Sequence, residues 1–225
     1  MSPTAAILII GAYLLGSIPF GLLIGIAHGT DLRKIGSGNI GATNVARALG
    51  REWAYACFAL DVLKGMLPML AAMRLLSPGD AELRSDRIVL LWLWLAVGCA
   101  AVLGHVFPIY LKFKGGKGVS TSFGVALGLW PYFTLPAAAA LLVWVATVLL
   151  WRYVSLASMI ASVAFPLVLL AAIVFVPPWS LAELWPLLLV ATAIPIMVIF
   201  RHRENIKRLA ARTESRISRK STPKT

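Results

Sequence analysis

Residues 119–151 read VSTSFGVALGLWPYFTLPAAAALLVWVATVLLW, a run without one charged side chain. As a single helix, rising about 1.5 Å per residue, it would reach roughly 50 Å, whereas the hydrocarbon core of a bilayer is about 30 Å thick. The run must therefore turn. Pro131 and Pro136 mark the place, because proline is disfavoured inside a helix and common at its edges. The sequence thus predicts a short span four over 119–133 and a span five over 135–151.

The flanking sequence divides in the same way. Uncharged residues 4–27 make span one, and 53–76 make span two, interrupted by Asp61 and Lys64. Spans three, six and seven follow at 88–111, 154–176 and 184–200, the sixth ending at Pro177-Pro178. The chain has 225 residues, 60% hydrophobic and only 13% charged, well below the charged share of a soluble domain. No linker or internal repeat divides it, so residues 1–225 are expected to form one transmembrane domain with a basic tail at 201–225. No basic segment precedes the first apolar run, which is read as a retained span. Cys57 and Cys99 lie inside apolar runs and form neither a metal spacing nor a disulfide framework.

Basic residues test the division. With seven spans, 17 of the 21 Lys and Arg fall on one face: those after spans one, three and five, and those of the tail. Arg74, Arg84 and Arg87 fall on the other, among Asp80, Glu82, Asp86 and Glu183. Were 119–151 one helix, the tail would change sides and the basic residues would divide. The positive-inside rule then gives an all-α integral membrane protein of seven transmembrane helices, N-terminus outside and C-terminus cytoplasmic. The net charge of +12 would suit a nucleic-acid partner, but beside apolar spans it serves orientation and anionic lipid. No nucleic-acid partner is expected.

Three polar segments fall on that cytoplasmic face. The first is Ser37-Gly38-Asn39-Ile40-Gly41-Ala42-Thr43-Asn44, followed by Arg47. The second is Phe113-Lys114-Gly115-Gly116-Lys117-Gly118, opening span four. The third is Arg201-His202-Arg203-Glu204-Asn205, where His202 and Asn205 share a helical face. Glycine-rich turns let N–H groups converge on an anion, and a helix start adds its dipole. The second segment is not a Walker A loop, since the upstream glycine and the Gly-Lys-Ser/Thr order are absent. Each segment alone has a plainer reading as a tight turn or an orientation signal. Together they resemble a pocket for phosphate groups. Ser155 reads alone as a helix cap. Asp61 and Lys64, at i and i+3, read as a self-neutralising structural pair, His105 as structural or loop-positioning, and His28 as interfacial.

The segments at 37–44 and 113–118, with Gly-His-Val-Phe-Pro at 104–108, Arg-Tyr-Val-Ser-Leu at 152–156 and Arg-His-Arg-Glu-Asn-Ile at 201–206, resemble the bacterial acyl-phosphate-dependent glycerol-3-phosphate acyltransferases, the PlsY family. The likeness runs from about Leu14 to Glu214. It implies a seven-helix enzyme of the bacterial inner membrane with its active site on the cytoplasmic face. That enzyme would move a fatty acyl group from acyl phosphate to the sn-1 hydroxyl of glycerol 3-phosphate, giving lysophosphatidic acid and phosphate. Two positions depart from the family pattern: Arg212 stands where a glycine is expected before Thr213-Glu214, and 119–121 read Val-Ser-Thr rather than Val-Ala-Thr.

Acyl phosphate is a mixed anhydride with a good leaving group, so the chemistry asks for no protein nucleophile, and neither cofactor nor metal is expected. Ser37, Gly38, Asn39 and the backbone of Gly115, Gly116, Lys117 and Gly118 are expected to hold the acyl phosphate. Thr43, Arg47, Lys117, Ser155, His202 and Asn205, carried over by motif, would bind glycerol 3-phosphate or bridge the phosphates. Ser37, Lys117, His202 and Asn205 form the expected catalytic set. The proton acceptor is either His202 or a substrate phosphate oxygen. Beyond the two substrates and membrane lipid, no obligate protein partner is inferred. The competing reading is a small transporter or channel for an anionic solute, which should carry more polar residues at mid-membrane and inverted repeats.

Overall fold

A computed structural model of the chain describes residues 2–76 and 84–217, with the side chains of 84–86 left aside. Asp80 and the last tail residues fall outside that range. The described residues form ten α-helices and no strand. The first is α1 (Pro3–Ser17), started by Ser2, whose hydroxyl accepts the Ala5 N–H, and by Pro3 in the first turn. The expected single span over 4–27 is broken: α1 stops at Ser17, and α2 (Phe20–Ala27) resumes after Pro19, which has no N–H to continue the ladder. A short α3 (Ala42–Leu49) leads through Gly50 into α4 (Arg51–Leu75). Then come α5 (Arg84–Val106), α6 (Val119–Gly128), α7 (Thr134–Trp151), α8 (Val154–Phe175), α9 (Leu181–Arg201) and α10 (Arg203–Ala210).

Six segments are long and apolar enough to cross a membrane: Pro3–Ala27, Arg51–Leu75, Arg87–Leu111, Thr134–Trp151, Val154–Phe175 and Leu181–Arg201. Their outer surfaces carry Leu142, Leu149, Phe175, Ile196 and Phe200, all exposed. In water this would be a liability; against lipid tails it costs nothing. Inside, Phe133 lies edge-on to Phe165 at 5.1 Å, among the buried Leu129, Leu169, Leu184 and Leu187.

The 119–133 segment is helical only over its first ten residues, so the predicted span four is shorter as a helix than expected. At about 1.5 Å per residue α6 rises roughly 15 Å, half a bilayer core. Turns at 129–133 continue it. Thr121 Oγ1 lies 3.1 Å from His105 Nδ1 near the C-terminal end of α5. The Tyr132 hydroxyl accepts from Arg87, 2.8 Å away near the N-terminal end of the same helix. Side chains of 121–132 therefore touch both end regions of α5.

Small residues let these helices approach. A Cβ at Gly65 would overlap the Thr121 carbonyl oxygen, and one at Gly124 the Val62 carbonyl oxygen, which seats α6 on α4. Gly16 and Gly104 do the same between α1 and α5. Membrane helices associate by such close packing because lipid supplies no hydrophobic drive between them. At the loop end of the bundle the segments around residues 117 and 202 come together.

Gly65→Leu should force α6 away from α4 and cost about 1–3 kcal/mol of stability. A thermal melt in detergent should show the lowered midpoint; an unchanged midpoint would refute the close contact.

Candidate active site

Asn44, buried on α3, builds the first loop. Its side-chain amide donates to the carbonyls of Leu32 (3.1 Å) and Ile35 (3.0 Å), and its oxygen accepts the Ser37 N–H at 3.2 Å. One amide thus satisfies three backbone groups and fixes the turn. Asn39 spends its oxygen on the Gly41 N–H at 2.9 Å. Ser37, Gly38, Thr43 and Arg47 remain exposed.

The glycine loop is fixed from below and from the side. Gly115 N–H donates to Val106 O (3.2 Å) and Gly116 N–H to His105 O (3.1 Å). The expectation of a four-residue N–H cradle therefore divides: Gly115 and Gly116 point their N–H groups inward. Those of Lys117 and Gly118 have no acceptor among the described residues. Arg201 donates to the carbonyls of Gly115 (2.8 Å) and Gly116 (2.9 Å), tying the end of α9 to the loop. Gly118 caps α6 with φ +84°, in the left-handed region that glycine enters freely.

Lys117 reaches across to α10, where its ammonium donates to Asn205 Oδ1. Asn205 in turn donates to Glu214 Oε1 at 2.6 Å, as does the Ser155 hydroxyl at 2.9 Å, while Arg208 donates to Oε2 at 2.7 Å. Ser155 does not cap its helix; it joins α8 to this network. Burial pushes the Glu214 carboxyl up, but hydrogen bonds from Arg208, Asn205 and Ser155 outweigh it and hold it below the usual carboxylate range. Burial lowers the Lys117 ammonium to about 8, partly offset by Glu214 and reinforced by the charges of Arg208, Arg47 and Arg201. Arg47, on α3, is thus near enough to be felt.

His202 sits at the junction of α9 and α10, buried beside Asn205. Its Nδ1 donates to Val198 O at 2.7 Å, which leaves Nε2 as the acceptor. Burial, then the Lys117 charge, lowers its pKa to about 4, so the ring is neutral at physiological pH.

Sequence reasoning gave Glu214 no role, because no spacing links residue 155 to residue 214. The signal is Arg212, two residues before it, where a glycine is expected. After α10 the chain reverses through Arg212 at φ +56°, and the N–H groups of Thr213 and Glu214 both return to Arg208 O. That left-handed turn is where a glycine fits, and it swings Glu214 beneath the helix. The strand of chain beyond is held on the α7–α8 turn: Ile217 and Arg152 exchange backbone and guanidinium hydrogen bonds, and Arg216 donates to the Tyr153 hydroxyl at 2.9 Å.

Residues 6–212 match the family model described as glycerol-3-phosphate acyltransferase. A glycerol-3-phosphate acyltransferase of Geotalea daltonii is 46% identical over 211 residues, covering 93% of this chain and 95% of the relative. The chain belongs to the glycerol-3-phosphate acyltransferase family. A second member, from Aquifex aeolicus, is 42% identical over 212 residues, covering 94% and 98% of the two chains. The crystal structure of PlsY, an integral membrane glycerol 3-phosphate acyltransferase in its glycerol 3-phosphate form, aligns with TM-score 0.80 and 41% identity over 95% of this chain and 96% of that one. Its lysophosphatidic acid form aligns with TM-score 0.78 and 40% identity over 95% of each chain. This protein is therefore an acyltransferase with an all-helical integral membrane fold like that of PlsY. The site of this family member offers a shielded ammonium, two free N–H groups at a helix start, nearby guanidinium groups and a neutral imidazole, a set suited to two phosphate groups and a hydroxyl.

Arg212→Gly should relieve the left-handed strain and raise stability by about 1 kcal/mol with activity kept. The thermal midpoint checks it: a fall would mean that the arginine side chain holds the turn.

Proposed function

We propose that this protein transfers a fatty acyl group from acyl phosphate to the sn-1 hydroxyl of glycerol 3-phosphate, in the bacterial inner membrane with the site facing the cytoplasm. The observation that carries the reading is the network joining Lys117, Asn205, Glu214 and Ser155, three separate motifs brought to one cationic point. The site lies where the bundle meets water, so a lipid-soluble donor and a water-soluble acceptor can both reach it. Counting 119–133 as a crossing gives seven spans. The contacts of Thr121 and Tyr132 at opposite ends of α5 favour that count, and the gathering of 17 of 21 basic residues favours a cytoplasmic C-terminus.

In the reaction, the hydroxyl oxygen attacks the acyl carbon, the bond from that carbon to the phosphate oxygen breaks, and the electron pair leaves on phosphate. Lys117 and the adjacent N–H groups stabilise that charge, with Ser37, Gly38 and Asn39 on the facing loop. Gly115 and Gly116 shape the loop. Thr43, Arg47, Ser155 and Asn205 bind or position the acceptor. A histidine of pKa about 4 is a poor base at neutral pH. A phosphate monoester titrates near 6, so a substrate phosphate oxygen takes the hydroxyl proton and neutral His202 orients the hydroxyl through Nε2.

Purified protein in lipid should release inorganic phosphate from acyl phosphate only when glycerol 3-phosphate is present; turnover with acyl-CoA alone would overturn the donor assignment. Lys117→Ala should fold and insert yet turn over about a hundredfold more slowly, the loss of one transition-state contact of about 3 kcal/mol. Full activity would reduce Lys117 to an orientation signal. Lys117→Arg should lose much of the activity too, since a planar fork does not replace a compact ammonium.

The depressed lysine also sets a pH limit. Lys117 is charged below about 8 and neutral above it, so kcat/KM should fall as pH rises through 8. Bound phosphate favours the cation, so kcat should fall only at higher pH. A kcat/KM flat to pH 10 would contradict the assignment.

A further inference from the structure

Beneath the glycine loop lies a buried polar network that the reaction does not touch. Asp61 Oδ1 pairs with Lys64 Nζ at 2.8 Å, both side chains almost wholly buried on α4. Lys64 also donates, at 2.8 Å, to Ile18 O, a carbonyl at the α1–α2 break. Asp61 Oδ1 stands 3.7 Å from His105 Nδ1, which is 3.1 Å from Thr121 Oγ1. The other edge of the imidazole faces the loop. A Cβ at Gly116 would overlap His105 Nε2, and the Gly116 N–H donates to the His105 carbonyl. Four elements meet at this one ring: α4 through Asp61, α5 by its own backbone, α6 through Thr121, and the loop through Gly116.

A lone ion pair would need none of this. A pair placed only for packing is replaceable by apolar side chains, often at no loss. Here the threonine hydroxyl bonds the ring, the carboxylate stands just beyond it, and the residue before Lys117 abuts the ring edge with no room for a methyl group. We infer that Asp61 and His105 are positioning residues: the Asp61–Lys64 pair fixes the His105 ring, and the ring sets the height of the Gly116–Lys117 backbone and hence the place of the Lys117 ammonium. This rests on the reading of that loop as the phosphate site.

The test uses the full chain in lipid with two sets of variants. Asp61→Asn together with Lys64→Gln keeps the shapes and removes both charges, so neither is left uncompensated. Three things are measured per folded molecule: the thermal midpoint, kcat and KM for glycerol 3-phosphate, and the pH at which an amine reagent half-labels Lys117. The expected result is a folded protein with kcat/KM lowered at least fivefold and a Lys117 labelling midpoint moved from about 8. A lowered thermal midpoint with unchanged kinetics and unchanged labelling would make the pair merely structural and overturn the inference.

The second set asks whether the ring contact is the operative one. Gly116→Ala alone should lower kcat/KM at least tenfold, and adding His105→Ala should restore part of that loss by making room for the methyl group. Losses that simply multiply would also overturn the inference. Because labelling of Lys117 needs no turnover, the two claims separate. An inactive wild type whose labelling midpoint still moves in the variants removes the proposed reaction and keeps the positioning. An active wild type with unmoved variants does the reverse.

Discussion

Glu214 is a carboxylate taken out of water and given three donors: Ser155 from α8, and Asn205 and Arg208 from α10. A buried charge persists only when it is paired and fully hydrogen-bonded. That condition ties the end of the chain to α8 and aligns the amide of Asn205. The amide has two ends. Its nitrogen is spent on Glu214, so its oxygen faces outward to accept from Lys117. One acid therefore sets the orientation of an amide, the amide receives a lysine, and the lysine belongs to a loop some ninety residues earlier in the chain. Arg201 adds a second tie between the same partners through the carbonyls of Gly115 and Gly116.

The electrostatics follow from this layout. The acid lies on the inner side of the cluster and the cations on the outer side, so the ammonium is partly compensated yet stays available to an anion. Burial lowers its proton affinity, and Glu214 limits the fall. The same burial strips His202 of basicity. A neutral ring with one free nitrogen serves as a hydrogen-bond acceptor and leaves the lysine as the cation beside it.

Much of this was legible in the sequence, for physical reasons that can be named. Hydrophobic length marked the six long apolar segments, and proline marked the turn near residue 131. Two elements differed. Pro19 broke the first span, which an uncharged run conceals. The fourth run held only ten helical residues because α6, seated on α4 through Gly65 and Gly124, passes into turns at 129–133. In the site, Lys117, His202 and Asn205 were visible because motif and spacing mark them. The roles of Asn44, Arg208 and Glu214 are not visible there. Their work is to hold other groups, and their partners lie up to 59 residues away in sequence. In sequence the glycine loop reads as an N–H cradle, but a sequence cannot say which N–H groups face inward, and Gly115 and Gly116 do.

Glu214 joins the motifs of Lys117, Ser155 and Asn205 into one network. The most direct test is calorimetric binding of glycerol 3-phosphate to the wild type, Ser155→Ala, Asn205→Ala and the double variant. Both residues bond the same carboxylate oxygen. If they act as one unit, the double variant binds no more than about twofold more weakly than the weaker single variant, as coupled neighbours behave. If the two losses multiply, the motifs act independently and the single site described above is wrong.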